Sequence, residues 1–287
     1  MAQEKSSSEK RTFRVAVCES PAELVPGSKR WRALVSAAKR SRADVLVLNE
    51  MPFGRWLASD EKRNDRLLAQ SHKAHDKGME ALGALGVPIV VGSRARMNAG
   101  RSVNEGFLWT PETGVQATHT KQFFPNEKGY YEARWYERGE IRFRMAEVRG
   151  LRIGFMICTD IWFQEWARHY GRKGAHLIVV PRSTPKDSLP RWKIGITSAA
   201  IVSGCYVASS NRAGRDSRGQ VFGGHGWIVD PTGKMLAETK PGRPIAVAKI
   251  DLSVTEAAKK EYPRYVDELR IEGGEERLAK RIARGAT

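Results

Sequence analysis

The sequence predicts an α/β protein built from two mixed β-sheets with helices on their outer sides. Three observations predict it: short β-branched runs recur along the chain, longer segments with helical spacing separate several of them, and two turn-like connections join neighbouring strand-like runs directly. Strands joined both by helices and by hairpins make a mixed sheet. Strands too apolar to face water on either side need cover on both faces, which paired sheets with outer helices supply.

Taken in order, residues 12–17, 44–48 and 87–91 read as the first strands, with helical spacing over 21–40 and 61–85 between them. Residues 106–110 form the next strand, and Pro111-Glu112-Thr113-Gly114 turns it back into a run that Lys121 closes. Strands at 152–157 and 176–180 flank a helix at 163–172, and a helix at 191–202 leads to a strand at 206–209. A strand at 227–229 meets the turn Asp230-Pro231-Thr232-Gly233, and a strand at 245–250 completes the set. Beyond residue 253 the chain is highly charged and contains Gly273-Gly274. Its amphipathic segment at 275–284 is too short to be stable alone, so it either docks, a partner subunit being one surface, or frays in solvent.

At 287 residues, one large domain with a well-buried core is expected. No apolar run approaches the roughly 18–20 residues of a membrane helix, and the polar start MAQEKSSSEKR has no apolar signal segment. A cytoplasmic protein without membrane partners is the expectation. Cys18, Cys158 and Cys205 are odd in number, far apart and without a C-x-x-C pair, so neither disulfides nor a zinc site is implied. The formal charge of +17 raises nucleic-acid or anionic-membrane binding. Against it, basic residues are interleaved with acids and form no long block or zinc-finger or RNP-type motif, so nucleic acid is disfavoured.

Three fragments could carry chemistry. In Val45-Leu46-Val47-Leu48-Asn49-Glu50-Met51-Pro52 an apolar strand ends in a carboxylate, at the end of a strand where α/β sheets bind ligands. Burial there would raise Glu50 toward a general base; a surface loop acid is the alternative. In His119-Thr120-Lys121-Gln122-Phe123-Phe124-Pro125 a lysine closes a strand and could hold an oxyanion, or could be an ordinary solvated lysine. In Phe155-Met156-Ile157-Cys158-Thr159-Asp160 a buried strand delivers a cysteine to a turn before a helix, where a lysine and the turn amides would lower the thiol and stabilise a tetrahedral oxyanion. Cys18 and Cys205 lie in or beside apolar runs and read as structural.

Together these fragments resemble the nitrilase, or carbon–nitrogen hydrolase, superfamily, whose Glu-Lys-Cys triad occurs in this order. The resemblance runs over about residues 12–269 and includes Gly174-Ala175-His176, Asn211-Arg212-Ala213-Gly214 and Gly226-Trp227-Ile228-Val229. It implies a four-layer α-β-β-α sandwich, a homodimer or higher homo-oligomer, no cofactor or metal, and a second glutamate between lysine and cysteine. Glu132, in Tyr131-Glu132-Ala133-Arg134-Trp135, matches that position better than Glu137 and would position Lys121 and the substrate nitrogen. The chain then divides into a disordered leader at 1–11, a carbon–nitrogen hydrolase domain at 12–270 and a charged tail at 271–287.

The resemblance further implies thioester chemistry on a small amide: Glu50 takes the Cys158 proton, and Lys121 with the Thr159 backbone amide holds the oxyanion. True nitrilases resemble Cys-Trp-Glu where this chain has Cys158-Thr159-Asp160, which favours amides over nitriles. Cys-x-Asp followed by Glu165 and Arg168 looks like the amidase and N-carbamoyl hydrolase branches, without separating them. Ile161 and Trp162 replace the arginines of the carbamoyl-amino-acid branch, so Trp162 would meet an uncharged or aromatic substrate end, and Arg182 could grip a carboxylate or be a surface residue. His72 and His75 read as a solvated helix face rather than metal ligands, and His119 as a packing residue or, less well, the partner of a papain-like Cys158. A basic binding protein that has lost catalysis is the reading from another class.

Overall fold

The computed structural model describes residues 11–21 and 23–266. The leader through residue 10 and the tail from 271, with its amphipathic segment, lie outside the described residues. Among the described residues there are thirteen strands: β1 Thr12–Pro21, β2 Val45–Val47, β3 Ile89–Asn98, β4 Arg101–Thr110, β5 Gly114–Thr120, β6 Ala146–Val148, β7 Leu151–Phe155, β8 Leu177–Arg182, β9 Tyr206–Arg215, β10 Val221–Gly223, β11 Trp227–Val229, β12 Met235–Glu238 and β13 Ile245–Asp251. The helices are α1 Lys29–Ser41, α2 Asp65–Glu80, α3 Glu132–Trp135, α4 Gln164–Arg172, α5 Leu189–Ser203 and α6 Leu252–Ala258.

Local chemistry sets the helix ends. Pro26-Gly27, with Gly27 at φ 82°, turns the chain before Ser28, whose side chain accepts from the Trp31 amide and starts α1 at Lys29 rather than at 21. Trp31, Leu34 and Ala38, at helical spacing, form its buried stripe. Asn64 caps α2 in the same way, and the periodic segment predicted to run to 85 divides into α2 and a 3-10 turn at Leu82–Leu85. The face of α2 carrying His72 and His75 corrects the expectation of a solvated one. His75 is fully buried against Phe53, with Nδ1 on the Ser71 carbonyl, and burial lowers its pKa to about 4; His72 contacts Ser102 Oγ at 2.9 Å. Both lie on the side by which α2 packs onto the sheet.

The strands form one large mixed sheet in the order β5-β4-β3-β2-β1-β9-β8-β7-β6. Strand β1 joins its halves: Val15, Ala16 and Val17 pair in parallel with β2, while Glu19, Ser20 and Pro21 pair in parallel with β9. β2 and β3 are parallel, as are β7, β8 and β9, so their carboxyl ends gather along one edge. β3, β4 and β5 alternate in direction, which returns the end of β5 to the same edge.

One apolar cluster combines Val15, Val47 and Val91 from one half with Ile153, Val179 and Ala208 from the other. The opposite faces are covered separately, one by α1 residues such as Trp31 and Leu34, the other by Ala167 and Tyr170 of α4 and Ile196 and Ala199 of α5. Most predicted strands match in place. Strands β6 and β10 and helices α3 and α6 had no counterpart, because each is short and carries too few apolar residues to show a period, whereas β12 is the run that the turn at 230–233 was expected to join to β11. No helix among the described residues is long and apolar enough to cross a membrane.

The α4–α5 contact leaves no room for a side chain at Gly171, where an added Cβ would lie 2.2 Å from the Ser203 carbonyl oxygen. Gly171→Ala is expected to lower stability by about 1–3 kcal/mol through overpacking. A urea melt checks this: the midpoint falls while the slope stays unchanged, whereas a wild-type midpoint would mean the helices separate at little cost.

Candidate active site

Glu50, Lys121, Cys158 and Ser183 each follow the carboxyl end of a strand, namely β2, β5, β7 and β8, and meet at the shared edge. Lys121 is fully buried, and its ammonium donates to Glu50 Oε1 at 2.9 Å and to Glu132 Oε2 at 2.5 Å. Glu132 opens the single turn α3, which Trp135 anchors by donating its indole N–H to the Asp60 carbonyl. Glu137, the competing acid, is exposed and lies 4.0 Å from Arg63.

A carboxylate oxygen of Glu50, one of Glu132 and Cys158 Sγ all lie within 4.8 Å of one another. Such a donor set could hold a metal ion, but Lys121 Nζ is the cation hydrogen-bonded to both carboxylates. Asn104 Nδ2 also donates to Glu50 Oε1 at 2.8 Å. Glu50 Oε2 and Glu132 Oε1 are buried without a hydrogen-bond partner among the described residues, so each carboxylate keeps one oxygen open.

Behind Glu50, the guanidinium of Arg212 donates to the carbonyls of Glu50, Met51 and Gly54, and Ser183 Oγ also donates to the Glu50 carbonyl. This fixes the loop after β2, where Met51 takes a left-handed φ of 43°. Cys158 is held in the same unfavourable region, φ 49°, as the first residue of a 3-10 turn, Cys158–Trp162, that precedes α4. For a non-glycine residue that conformation costs on the order of 1–3 kcal/mol and persists only when neighbours enforce it. The Thr159 amide lies in the first turn of that helix, where no intrahelical acceptor exists.

The electrostatics differ from the expectation of a lowered thiol. Burial, then the Glu50 carboxylate, push Cys158 well above its ordinary range, while Lys121 pulls the other way. One ammonium cannot offset two carboxylates and the loss of water, so the resting side chain is a neutral thiol beside Glu50. Burial also opposes the charge on Lys121, but Glu132 and Glu50 outweigh it and hold the ammonium well above the usual lysine range. Glu132 is raised to about 8, mainly by burial, with Lys121 opposing and Glu50 adding to it.

The cavity on this edge has a volume of about 550 Å³, and its lining includes Cys158, Thr159, Glu132, Trp162, Trp192 and Tyr130. Trp162 is 42% exposed and lies with its ring 5.1 Å from that of Trp192, which shares the lining. Arg182 is neither a surface residue nor part of the lining. Its guanidinium is fully buried over Trp227 and donates to Ser209 Oγ, Thr184 Oγ1 and the His225 carbonyl, which leaves no fork for a carboxylate. His119 gives its ring nitrogens to Asp160 Oδ2 and the Arg142 carbonyl rather than to the thiol.

Sequence reasoning missed Asn104, Asp160, Ser183 and Arg212. The available signal was polarity within strands: Ser102, Asn104 and Glu105 are buried in β4, upstream of the apolar run that marked it, and Asn211-Arg212 stands in β9. A polar side chain inside a buried strand must be paired, which makes it a candidate for a site.

A family model described as carbon-nitrogen hydrolase matches residues 14–260. The 2-oxoglutaramate amidase of Bacillus subtilis (strain 168) is 29% identical over 229 residues, covering 78% of this chain and 85% of its own. The crystal structure of a carbon-nitrogen hydrolase from Helicobacter pylori G27 superposes with a TM-score of 0.79 at 22% identity, over 93% of this chain and 98% of that one. A mutant amidase from Nesterenkonia sp. AN1, with acrylamide added at its active-site cysteine, superposes with a TM-score of 0.69 at 21% identity, over 85% and 95%.

The shift on Glu132 has a consequence for stability. Between the ordinary glutamate value of 4.5 and about 8, the folded chain keeps a proton that the unfolded chain has released. The contribution of Glu132 is therefore full below about pH 4.5 and is lost as pH rises through about 8. Urea midpoints measured across that window should fall with pH more steeply in wild type than in Glu132→Gln; parallel curves would contradict the assignment.

Proposed function

The chain belongs to the carbon–nitrogen hydrolase family and is a hydrolase of carbon–nitrogen bonds; from that premise we propose that it cleaves a small amide through a thioester on Cys158. The observation that carries this reading is the convergence of Cys158 Sγ with oxygens of Glu50 and Glu132 inside 4.8 Å, bridged by Lys121 and opening on a cavity of about 550 Å³. A reactive group placed there meets a nucleophile, a base and an oxyanion partner together.

In the proposed reaction the Cys158 thiol gives its proton to Glu50 as sulfur attacks the substrate carbonyl carbon. The free oxygen, Oε2, suits this transfer because Oε1 is held by Lys121 and Asn104. The carbonyl oxygen takes up the electron pair and is held by the Lys121 ammonium and the Thr159 N–H. Collapse breaks the carbon–nitrogen bond, the nitrogen takes the proton from Glu50, and ammonia or an amine departs. Glu50 then draws a proton from water, hydroxide adds to the thioester, and a second collapse frees the acid and returns the proton to sulfur. Glu132 orients the ammonium and faces the substrate nitrogen with its open oxygen. A thiol that is neutral at rest limits stray alkylation and becomes nucleophilic only as its proton moves to Glu50.

The amide preference rests on Cys158-Thr159-Asp160 at the turn and is supported by the name of the Bacillus subtilis relative, an amidase. Trp162 and Trp192 give the cavity aromatic walls that suit an uncharged or aromatic substrate end. The layer order α-β-β-α is also proposed, supported by a core shared between the sheet halves and by separate helix pairs on their outer faces.

Ammonia release from a panel of amides, N-carbamoyl compounds and nitriles, read for wild type beside Cys158→Ala, tests the reading. Release from amides that falls at least about 10⁴-fold in the variant is expected. Release that survives in Cys158→Ala sinks the thiol mechanism, and release from nitriles alone sinks the substrate class.

A further inference from the structure

The buried carboxylate of Asp160 collects more donors than any role in the proposed reaction requires. Oδ1 accepts the backbone amides of Gln122 and Phe123, both at 3.1 Å, and Oδ2 accepts the Ile157 amide at 3.0 Å and meets His119 Nε2 at 2.9 Å. Both side chains are wholly excluded from solvent. Two of these amides follow Lys121 immediately, the third precedes Cys158, and His119 stands two residues before Lys121. One side chain therefore ties together the two backbone segments that carry the ammonium and the sulfur. These segments lie at the ends of strands in opposite halves of the sheet, and the stacked rings of Phe123 and Phe163, 3.4 Å between centroids, are a second contact between them.

We propose that Asp160, oriented by His119, is the positioning residue that sets Lys121 against Cys158. An ionised carboxylate only accepts, so His119 presents a proton on Nε2, and its ring is in turn packed 4.8 Å from that of Phe143. The clamp also explains how Cys158 stays at φ 49°: the Ile157 amide is pinned by Asp160 Oδ2 while the Asp160 amide donates back to the Ile157 carbonyl at 3.1 Å, closing the turn around the cysteine. Asp160 does not touch the reacting atoms. It acts by holding two groups whose separation decides whether the oxyanion and the attacking sulfur are served together, and a displacement of about 1 Å in such a pair costs roughly 100-fold in rate.

This inference rests on the proposed amide hydrolysis, and its test separates the two. Full-length wild type, Cys158→Ala, Asp160→Asn, His119→Phe and His119→Gln are compared by steady-state turnover of the best amide and by iodoacetamide alkylation of Cys158. Asp160→Asn keeps size and the acceptor for Gln122 and Phe123 but turns a donor toward Ile157 and His119. Its kcat is expected to fall about 100-fold with KM within about threefold and with one alkylatable Cys158 per chain retained. His119→Phe should follow it, and His119→Gln, which restores a donor, should recover most of the loss. Full kcat in Asp160→Asn, a loss that merely tracks the fraction of titratable Cys158, or equal losses in the two His119 variants overturns the clamp. If Asp160→Asn does not fold, the two His119 variants decide alone. If wild type turns over no amide, the proposed function fails by itself. The alkylation rate constant then judges the clamp: a change of about tenfold or more across the variants supports it, and no change overturns it.

Discussion

A lysine with no access to water is the constraint on which the rest depends. Removing an ammonium from water costs several kcal/mol, and only charged partners held in good geometry return it. Lys121 has two, Glu50 and Glu132, which arrive from different parts of the chain: the loop after β2 and the turn α3. The strand directions follow from that requirement. Glu50, Lys121 and Cys158 can meet only if β2, β5 and β7 end on the same edge, which the parallel pairing and the β3-β4-β5 alternation accomplish. Burial first, and then the excess of negative charge from two acids around one ammonium, keep the neighbouring thiol protonated and raise Glu132.

Buried polar side chains around this group do the fixing. Arg212 spends its guanidinium on the carbonyls of the Glu50 loop, Asn104 holds Glu50 Oε1, and Arg182 ties β8 to β9 and to the His225 loop. Each would be expensive if unpaired, and each is paired with a segment whose position matters to the site. Left-handed backbone at Met51 and Cys158 marks where that fixing is strongest, because strain of this kind survives only inside an over-determined surround.

The fold was legible where apolar runs were long enough to declare a period. Strands β1, β2, β3, β7, β8 and β13 and helices α1, α2, α4 and α5 stand close to their expected places. Strands β6 and β10 and the single turn α3 left no such trace, although α3 carries Glu132, which was found only by resemblance. Lys121 illustrates the limit of residue-by-residue reading: it is one of 49 basic residues, and its burial follows from the strand that precedes it rather than from its own neighbours. Arg182 failed in the opposite sense, since its place just past an apolar strand suggested a ligand contact while its partners Ser209, Thr184 and His225 are distant or silent in sequence. The thiol was expected to be lowered because a nearby lysine and the turn amides were visible, while its burial, first, and the two carboxylates around that lysine were not counted against them.

The claim at the centre of this account is a covalent acyl group on Cys158. Acid-quenched mixtures of wild type with a turned-over amide, digested and weighed, test it directly. The peptide containing Cys158 is expected to gain the mass of the substrate acyl group within the first turnover and to lose it when hydroxylamine is added. Amide hydrolysis with no such adduct, or with the adduct on Cys18 or Cys205, would contradict it.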